Sequence, residues 1–447
     1  MESYPSYKDS GVKWIGEIPN DWDSIKLKYI GFLYGGLSGK SGKDFNDDEN
    51  PNNKPFIPFT NICENTYISK NDLGKVNITE EDTQNRVEKN DLFFLMSSED
   101  QEGIGKPSVL KEDIGEVYLN TFCRGFRITK ENYDSLFVNY LLSGHSYREL
   151  LSVEGRGFTR INLRSHKVSD FQIFYPPKET QSQIVSFLDK KTQKIDDLIQ
   201  KTEKKIELLK EKRTSLINHC VTKGLNPNVE MKDSGIEWMG DIPSHWIITR
   251  FKYQGEVIIG LSYKPENQVD ESKGILVMRS SNVQKGKPSF KDNVFVDCSI
   301  PEKLRTKEGD ILICSRNGSR RLIGKNCLIT SEIEGMTWGV FMTMFRSPSY
   351  KFIYWLLNSS VFKSQSGLFL TSTINQLTVS TLENMIIPYV NDIEEQTKIV
   401  EYLDEQTQKI DSTIQKETQR IELLKEYRQS LISEVVTGKV DVRDYNG

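Results

Sequence analysis

The stretch that decides the fold runs from residue 179 to residue 221 and reads "ETQSQIVSFLDKKTQKIDDLIQKTEKKIELLKEKRTSLINHCV". It contains neither glycine nor proline, so no residue in it interrupts a helix. Spacings of four and three residues alternate along one side, as in the seam of a heptad repeat. The seam residues are Ile195, Ile199, Thr202, Ile206, Leu209, Arg213, Leu216 and Cys220. The stretch therefore predicts one helix on the order of 60 Å long.

A second copy of this pattern lies 215 positions further along the chain, at residues 394–436. It reads "EEQTKIVEYLDEQTQKIDSTIQKETQRIELLKEYRQSLISEVV". Its seam residues are Ile410, Ile414, Glu417, Ile421, Leu424, Arg428, Leu431 and Val435. Two amphipathic helices, each packed on its own domain, are one interpretation. A narrow apolar seam flanked by Lys and Glu suits a partner helix better than a broad core, so we expect the two helices to pair as an antiparallel coiled coil.

A shorter duplication precedes each half of the chain. Residues 8–22, "KDSGVKWIGEIPNDW", recur at 232–246 as "KDSGIEWMGDIPSHW", with nine of fifteen positions identical. Such a repeat fixes the order of the domains. We expect its tryptophans to anchor the chain to a domain surface rather than to take part in chemistry; they are Trp14, Trp22, Trp238 and Trp246.

About 150 residues separate each short repeat from the next long helix, and they have the pattern of a mixed α/β (α+β) domain. Short runs rich in Ile, Val, Phe and Tyr alternate with turn residues and read as strands, and they follow the same order in both halves. The prediction is a duplicated fold with intramolecular pseudo-twofold symmetry. Its segments are a repeat segment 1–22, a first α/β domain 23–177, a long helix 178–222, a linker with the second repeat segment 223–246, a second α/β domain 247–388, a second long helix 389–437 and a tail 438–447.

Length and charge agree with this division. A chain of 447 residues is too long for one ordinary core, which favours two or three domains. The net charge of −4 is an average over unlike parts. Residues 23–170 carry 19 basic and 23 acidic side chains, whereas residues 250–387 carry 18 basic and 12 acidic ones. The second segment is therefore cationic and the first is not.

Cysteine use and hydropathy favour a cytoplasmic protein. The six cysteines form no CxxC pair, and the four histidines are not spaced with them as metal ligands. Scattered thiols fit a reducing compartment. The beginning "MESYPSYKDSG" has no basic region followed by an apolar one, and no apolar run reaches the length of a membrane span. We expect a cytoplasmic protein with no metal and no membrane partner.

Tests for catalytic motifs fail. Residues 34–41, "YGGLSGKS", would need glycine at Tyr34 to form a phosphate-binding loop, and the repeat places Tyr263 and Pro265 where Gly39 and Ser41 stand. Residues 174–178, "FYPPK", lack the Asn or Asp that begins the corresponding motif of amino-methyltransferases. "GIGKP" lacks the third glycine of a dinucleotide-binding loop. We therefore predict a protein without a catalytic site or bound cofactor.

Two loops recur in both α/β domains and have the composition of a polar edge. The first loop is "SSEDQEGIGKPS" (97–108) and "SRNGSRRLIGKNC" (315–327); the second is "EGRGFTRINLRS" (154–165) and "SGLFLTSTINQLT" (366–378). Arg, Asn and Gln can read base edges, and Ser, Thr and Lys can hold phosphates. Solvated loops of this composition are also common, but recurrence beside the same strand favours DNA binding. The candidate residues are Ser97, Ser98, Gln101, Lys106, Arg156, Thr159, Arg160, Asn162, Arg316, Asn317, Arg320, Arg321, Lys325, Thr373 and Asn375.

The combination resembles the specificity subunit of type I restriction-modification systems. The resemblance rests on the repeated "DSGxxWxGxIPxxW" opening, the "GDILI" strand with its "IGK" loop, and "ExQxxIVxxLD" running into "IELLKExRxSLI". It covers essentially the whole chain. The first copy departs from it at residues 179–183, "ETQSQ", and in its first loop, which lacks the expected arginine.

The resemblance implies a division of labour among subunits. Each recognition domain would bind one half of a split double-stranded DNA target, and the paired helices would set the spacer and dock two methyltransferase subunits. Motor-nuclease subunits would add restriction. S-adenosylmethionine, ATP and Mg²⁺ would belong to those partners, and this chain would be non-catalytic. A coiled-coil scaffold that joins two protein partners without reading DNA is the alternative, and a self-contained DNA enzyme is opposed by the failed motif tests.

Overall fold

The computed structural model describes residues 2–45, 50–157, 159–365, 367 and 375–445. The chain divides into two compact units. The first consists of Met1–Glu203 and Gln419–Gly447, and the second of Lys204–Thr418. Each predicted long helix is therefore shared, with one part in each unit.

The first unit contains strands β1–β13 and helices α1–α4, and helix α5 begins in it. The strands are Tyr7–Asp9, Glu17–Pro19, Asp23–Lys26, Gly31–Gly35, Asn53–Ile57, Gly74–Asn77, Leu92–Leu95, Ser97–Ser98, Pro107–Val109, Tyr118–Leu119, Cys123–Ile128, Ile161–Asn162 and Gln172–Tyr175. The helices are Phe59–Glu64, Ser135–Ser143, His145–Val153, Ser165–Ser169 and Lys178–Lys223. Short 3-10 helices lie at Leu27–Tyr29 and Gly42–Asp44.

The second unit contains strands β14–β27 and helices α6–α8, and helix α9 begins in it. The strands are Met231–Asp233, Asp241–Pro243, Ile247–Arg250, Glu256–Ile259, Gln268–Val269, Ile275–Met278, Val283–Gln284, Lys287–Pro288, Phe295–Val296, Ile311–Cys314, Asn326–Leu328, Thr337–Trp338, Met342–Arg346 and Ile386–Tyr389. The helices are Tyr350–Leu357, Ser360–Lys363, Val379–Asn384 and Ile393–Val436. Further 3-10 turns lie at Phe251–Tyr253, Pro265–Asn267, Glu271–Lys273, Ser280–Asn282, Glu302–Leu304, Arg320–Leu322 and Ser331–Ile333.

Each unit is built around its own four-stranded antiparallel sheet, and the two sheets have the same topology. The strand order is β4-β11-β7-β9 in the first unit and β17-β26-β23-β24 in the second. A second sheet in each unit contains one parallel pair, β5 with β10 and β19 with β25. The predicted mixed α/β class and the internal duplication are confirmed by these two matching topologies.

The central strand of each main sheet separates two cores. Successive side chains of a strand point to opposite faces, so Leu92 and Phe94 of β7 enter one apolar cluster while Phe93 and Leu95 enter another. Strand β23 repeats the arrangement, with Ile311 and Ile313 on one side and Leu312 and Cys314 on the other. Because both faces are covered, these strands read as continuous apolar runs rather than as alternating ones.

A buried ion pair ties the main sheet together in each unit. The carboxylate of Asp91 accepts hydrogen bonds from Nε and Nη2 of Arg127, at 2.9 and 2.8 Å. Asp310 accepts the same two bonds from Arg346, at 2.7 Å each. In both pairs the hydrogen bond to the carboxylate raises the pKa of the arginine. The pair fixes the register between β7 and β11, and between β23 and β26.

The long helices end where their flanking residues require. Gly224 and Gly438, which follow α5 and α9, each have φ +73°, the left-handed conformation that terminates helices. Helix α5 begins at Lys178, as expected. Helix α9 begins at Ile393 rather than at 389, because Tyr389 still pairs with Ile247 in the sheet and the Asp392 carboxylate caps the amide of Glu394.

The two heptad stretches pair within each unit. In the first unit, Nε of Arg428 lies 2.9 Å from Oδ1 of Asp196. In the second unit, Nε of Arg213 lies 2.9 Å from Oδ1 of Asp411, the equivalent pair in the duplicated sequence. Residues that come later in α5 meet residues that come earlier in α9, so the helices are antiparallel, as predicted.

The predicted seam residues divide between the two units, and four of them, Ile195, Ile199, Leu424 and Leu431, join one apolar core in the first unit. Those of the first unit are Ile195, Ile199, Ile421, Leu424 and Leu431, and those of the second are Ile206, Leu209, Leu216, Ile410 and Ile414. All ten are buried or half-buried. The core of the first unit joins Phe137 of α2 to Leu188 of α5 and Leu431 of α9. The core of the second unit likewise joins Phe352 of α6 to Val221 of α5 and Leu403 of α9.

The tryptophans of the short repeat divide into two classes. Trp22 and Trp246 are fully buried, and each packs edge-to-face on an equivalent phenylalanine, Phe137 or Phe352. They anchor the repeat segment, as expected. Trp14 and Trp238 lie at the surface. The Trp14 ring still packs edge-to-face on the buried Tyr147, with 5.1 Å between the ring centroids, as expected for a surface anchor. Trp14 and Trp238 follow a glycine turn at Gly11 and Gly235 that turns the segment outward before it returns to the core.

The ion pair between Arg213 and Asp411 is expected to contribute little to stability. Both side chains are substantially exposed, and solvent screens such pairs to less than about 1 kcal/mol. We therefore expect Arg213→Ala to lower the unfolding free energy by no more than this amount in urea denaturation followed by circular dichroism. Lys212→Ala, at the neighbouring exposed position, serves as the control. A loss several times larger in Arg213→Ala alone would show that the pair, rather than the apolar seam, holds the helices together.

Candidate nucleic-acid interface

Three segments meet at one edge of each unit. They are the first loop, the second loop, and the turn that leads into strand β11 or β26. This turn consists of residues 120–123 or 339–342, and we call it the phenylalanine turn because it contains Phe122 or Phe341. In the first unit the amide of Met96 donates to the carbonyl of Phe122, at 3.0 Å, and the amide of Leu163 donates to Met96, at 2.9 Å. These segments together form what we call the loop edge.

The loop edge of the second unit has the same backbone hydrogen bonds. The amide of Ser315 donates to the carbonyl of Phe341, at 3.1 Å, and the amide of Leu377 donates to Ser315, at 2.8 Å. Arg316 and Gln376 form a single antiparallel bridge where the first unit has the strand pair β8 and β12. The two loops singled out from the sequence are thus neighbours in space in both units.

In the first unit, strand pairing places several candidates directly. Ser97 pairs with Asn162 and Ser98 with Ile161, and the amide of Asn162 donates to the carbonyl of Arg156, at 2.9 Å. The serines are half-buried, and the Asn162 and Thr159 side chains are exposed. These residues lie together on the loop edge, where they can reach a ligand.

Other candidates of the first unit are turned toward the protein. The side-chain amide of Gln101 donates to the carbonyl of Ser152, and the ammonium of Lys106 donates to the carbonyl of Cys63. Burial lowers the pKa of Lys106. Nη1 of Arg156 donates to the carbonyl of Gly155, at 3.0 Å. These three side chains therefore donate to backbone carbonyls of their own unit.

The second unit presents a denser group of cations. The Arg316, Arg320 and Arg321 side chains are exposed, and the loop that carries them, residues 315–327, has no acidic residue. The Asn317 and Lys325 side chains both bind Ser280. Nδ2 of Asn317 donates to Oγ of Ser280, at 3.3 Å, and Nζ of Lys325 donates to the backbone carbonyl of Ser280, at 2.9 Å. Lys325 braces backbone just as the equivalent Lys106 does.

Two candidates belong to the end of the second loop of the second unit. Asn375 is half-buried and begins the short segment that pairs with the first loop. Thr373 lies outside the described residues. The position of Asn375 next to the bridge between Arg316 and Gln376 puts it on the loop edge.

Two kinds of residue at the edge were missed by the sequence patterns. Phe122 and Phe341 are exposed, and an arginine lies over each ring: Arg160 at 4.8 Å from the centroid and Arg316 at 5.3 Å. Comparing the two halves position by position could have found them, since both phenylalanines fall 219 positions apart, as do the strands around them. Phenylalanine has no polar side-chain atom, whereas the loop pattern consists of polar and charged residues.

Arg148 is the second kind of residue that the sequence patterns missed. It lies in a cleft of about 520 Å³ that Phe59, Phe122 and Arg160 also line. Nη2 of Arg148 donates to the carbonyls of Glu102 and Ile104, at 2.7 and 2.9 Å, and burial lowers its pKa to about 10. It comes from helix α3, which no loop pattern could indicate.

Chemically, the two edges offer hydrogen-bond donors, cations and exposed aromatic rings. Among the described residues, no cluster of three or more His, Cys, Asp or Glu side chains could hold a metal ion. Lys40, in the segment that resembles a phosphate-binding loop, has its ammonium 2.6 Å from the Asp82 carboxylate. Within the same described part of the chain, no helix is both long and apolar enough to cross a membrane. The arrangement is suited to binding a polyanion that also carries aromatic bases, as nucleic acids do.

Comparison with known proteins agrees with this geometry. The family model for the type I restriction modification DNA specificity domain matches residues 19–208 and 302–423. A putative type I restriction enzyme MjaX specificity subunit of Methanocaldococcus jannaschii is 24% identical, over 98% of each chain. The EcoKI specificity subunit of Escherichia coli K12 is 28% identical over 45% of this chain and 44% of its own.

Two solved structures share the fold. One comes from work on complex assembly and conformational transition of the type I restriction-modification system, with TM-score 0.73, 15% identity, and coverage of 95% of this chain and 99% of the other. The second is the HsdS subunit of Thermoanaerobacter tengcongensis, with TM-score 0.55, 15% identity, and coverage of 95% and 98%. The family model covers well over half of the chain and both loop edges fall within the matched halves or beside them, so the chain belongs to the type I restriction-modification DNA specificity family.

Proposed function

We propose that each loop edge reads one half of a bipartite DNA target and that the paired long helices set the gap between the halves. The observation that carries this proposal is the recurrence of one edge, with the same backbone hydrogen bonds, in two units joined by the helices α5 and α9. Half-sites one helical turn apart lie about 34 to 36 Å from each other. A helix of 46 residues is on the order of 70 Å long, enough to span that distance.

The partners and cofactors follow as part of the same proposal. Two methyltransferase subunits would dock on the long helices and methylate adenine with S-adenosylmethionine, and motor-nuclease subunits using ATP and Mg²⁺ would add restriction. This chain would supply recognition without catalysis, in the cytoplasm. The free thiols of the described residues are compatible with a reducing compartment. Exposed apolar residues on the long helices, Leu208 and Leu423 among them, offer a surface for the methyltransferase subunits.

Selection from random-sequence duplex DNA tests the proposal. The chain is used alone and together with its methyltransferase subunits, and bound DNA is recovered and sequenced. We expect two short fixed sequences separated by an unread gap of constant length. Recovery of no motif, with protein partners still bound, would instead support the scaffold that joins two proteins.

Alanine variants of the arginines at the second loop edge should have different effects on DNA binding, according to whether each arginine contacts a base or a phosphate. If Arg316 reads a base, Arg316→Ala should weaken binding to the selected site by about 1 to 3 kcal/mol. If Arg320 and Arg321 hold phosphates, their alanine variants should weaken binding to all sequences and reduce the salt slope by about one each. Fluorescence anisotropy at several salt concentrations measures both effects.

Lys398→Ala is the matched control for these arginines, because it removes one positive charge from helix α9 of the same unit, where its ammonium pairs with Glu394. It should leave the affinity and the salt slope nearly unchanged. Equal binding by all three arginine variants and the control would remove the first loop of the second unit from the interface.

A further inference from the structure

Each loop edge exposes one phenylalanine at an equivalent position. Phe122 is 45% exposed and Phe341 is 55% exposed, and each stands one residue before the last strand of its main sheet, β11 or β26. Single exposed apolar residues are common on proteins. Two at one position of an internal duplication, both beside the candidate DNA-binding loops, call for a more specific explanation.

The backbone holds both rings outward. The residue after each phenylalanine, Cys123 or Met342, is buried and pairs with the central strand, at Leu95 or Cys314. Each phenylalanine precedes the strand, in the turn, and its ring remains exposed there. Hydrogen bonds from the first loop to the phenylalanine carbonyls, at 3.0 Å from Met96 and 3.1 Å from Ser315, fix the turn.

An arginine covers one face of each ring, and the two arginines come from different loops. Arg160 belongs to the second loop of its unit, whereas Arg316 belongs to the first loop of the other. A guanidinium over an aromatic face is held by cation–π attraction. Both edges therefore place an arginine over the phenylalanine ring, although the arginine comes from the second loop in one unit and from the first loop in the other.

This geometry limits how the ring can meet DNA. A ring inserted fully between two base pairs would stack on both faces, and here a guanidinium already lies over one face of each ring. The remaining face and edge can pack on an apolar group in the major groove, where the thymine C5 methyl group is the apolar contact available. The adjacent guanidinium supplies a positive charge beside that contact.

We propose that Phe122 and Phe341 each pack on the C5 methyl group of a thymine in their half-site, with Arg160 and Arg316 held by the ring against a neighbouring base or phosphate. This inference rests on the proposed reading of bipartite DNA and adds a named contact to it. It makes the two phenylalanines specificity residues for one thymine in each half.

Replacing thymine by deoxyuridine tests the contact, because the exchange removes only the methyl group. In the selected duplex, each thymine of the two half-sites is replaced in turn, and binding is measured for the full chain and for Phe122→Ala and Phe341→Ala. One position in each half should weaken wild-type binding by about fourfold, the effect of losing one buried methyl group. The matching phenylalanine variant should bind about tenfold more weakly and should not respond to deoxyuridine there.

Tyr29→Ala and Tyr253→Ala are the matched controls, since these exposed tyrosines occupy equivalent positions of the two units outside the loop edge. Phe122→Leu and Phe341→Leu keep an apolar side chain and should retain part of the response. Because the rings are exposed, circular dichroism melts of all variants should match that of the wild type.

The outcomes separate this inference from the function on which it rests. Failure of the wild type to bind any selected duplex would overturn both. Normal site selection with unchanged affinity in both phenylalanine variants would overturn the thymine contact and leave the proposed function standing. Loss of affinity without any deoxyuridine response, together with increased 2-aminopurine fluorescence at a base step, would identify a wedge and would likewise overturn the methyl contact.

Discussion

Trp246→Ala should lower the unfolding free energy of the second unit by about 3 to 5 kcal/mol, the usual cost of removing a large aromatic side chain from a core. The Trp246 ring is fully buried and packs with residues of both long helices, Val221 and Leu403 among them. Its indole Nε1 also donates to the Glu395 carboxylate, at 3.0 Å. The variant therefore leaves a cavity at the point where the short repeat meets the helices, and a carboxylate with one donor fewer.

Trp238→Ala is the internal control for this experiment. It removes the same side chain from the same repeat segment, eight residues away, but Trp238 is 42% exposed. Urea denaturation followed by circular dichroism should show a clear loss of stability for Trp246→Ala and a change of less than about 1 kcal/mol for Trp238→Ala. Similar losses in the two variants would mean that the repeat segment does not depend on its buried anchor.

Lengthening both long helices by one heptad should shift the preferred gap between the half-sites. Seven residues add about 10 Å of helix, which corresponds to about three base pairs at roughly 3.4 Å each. Insertion after Glu203 in α5 and after Thr418 in α9, where the two compact units divide, keeps the heptad register on both sides. Affinity for the original site should fall toward the non-specific level, by roughly a thousandfold.

Selection from random DNA measures the new gap directly. Insertion in α5 alone is the control, because it shifts the apolar seam of α5 by one heptad relative to that of α9 and should reduce stability rather than define a new gap. An unchanged gap in the doubly extended protein, with the fold intact, would contradict the role of the helices as a ruler.

Local patterns predicted most of the architecture. The heptad spacing predicted two long helices that pair in antiparallel fashion. The duplication gave the order of the domains and the equivalence of their sheets. The start of α9 was misplaced because Tyr389 is held in a strand by Ile247, a partner 142 positions earlier in the chain that no local pattern contains.

The loops were predicted as segments, but the direction of their side chains was not. Gln101, Lys106 and Arg156 have the composition of DNA-binding residues, yet their side chains donate to backbone carbonyls of their own unit. Phe122 and Phe341 were overlooked, since an apolar residue next to a strand reads as core unless the burial of its neighbour is known.

The sequence by itself determined that the chain is a duplicated pair of α/β domains with two long pairing helices, because periodicity and repetition are properties of the order of residues. Only the tertiary structure decided which loop residues stand on the open edge and which brace backbone. Side-chain direction there depends on hydrogen bonds between segments far apart in the chain, such as Leu163 to Met96 and Leu377 to Ser315, and these form only when the sheet has brought the two loops together.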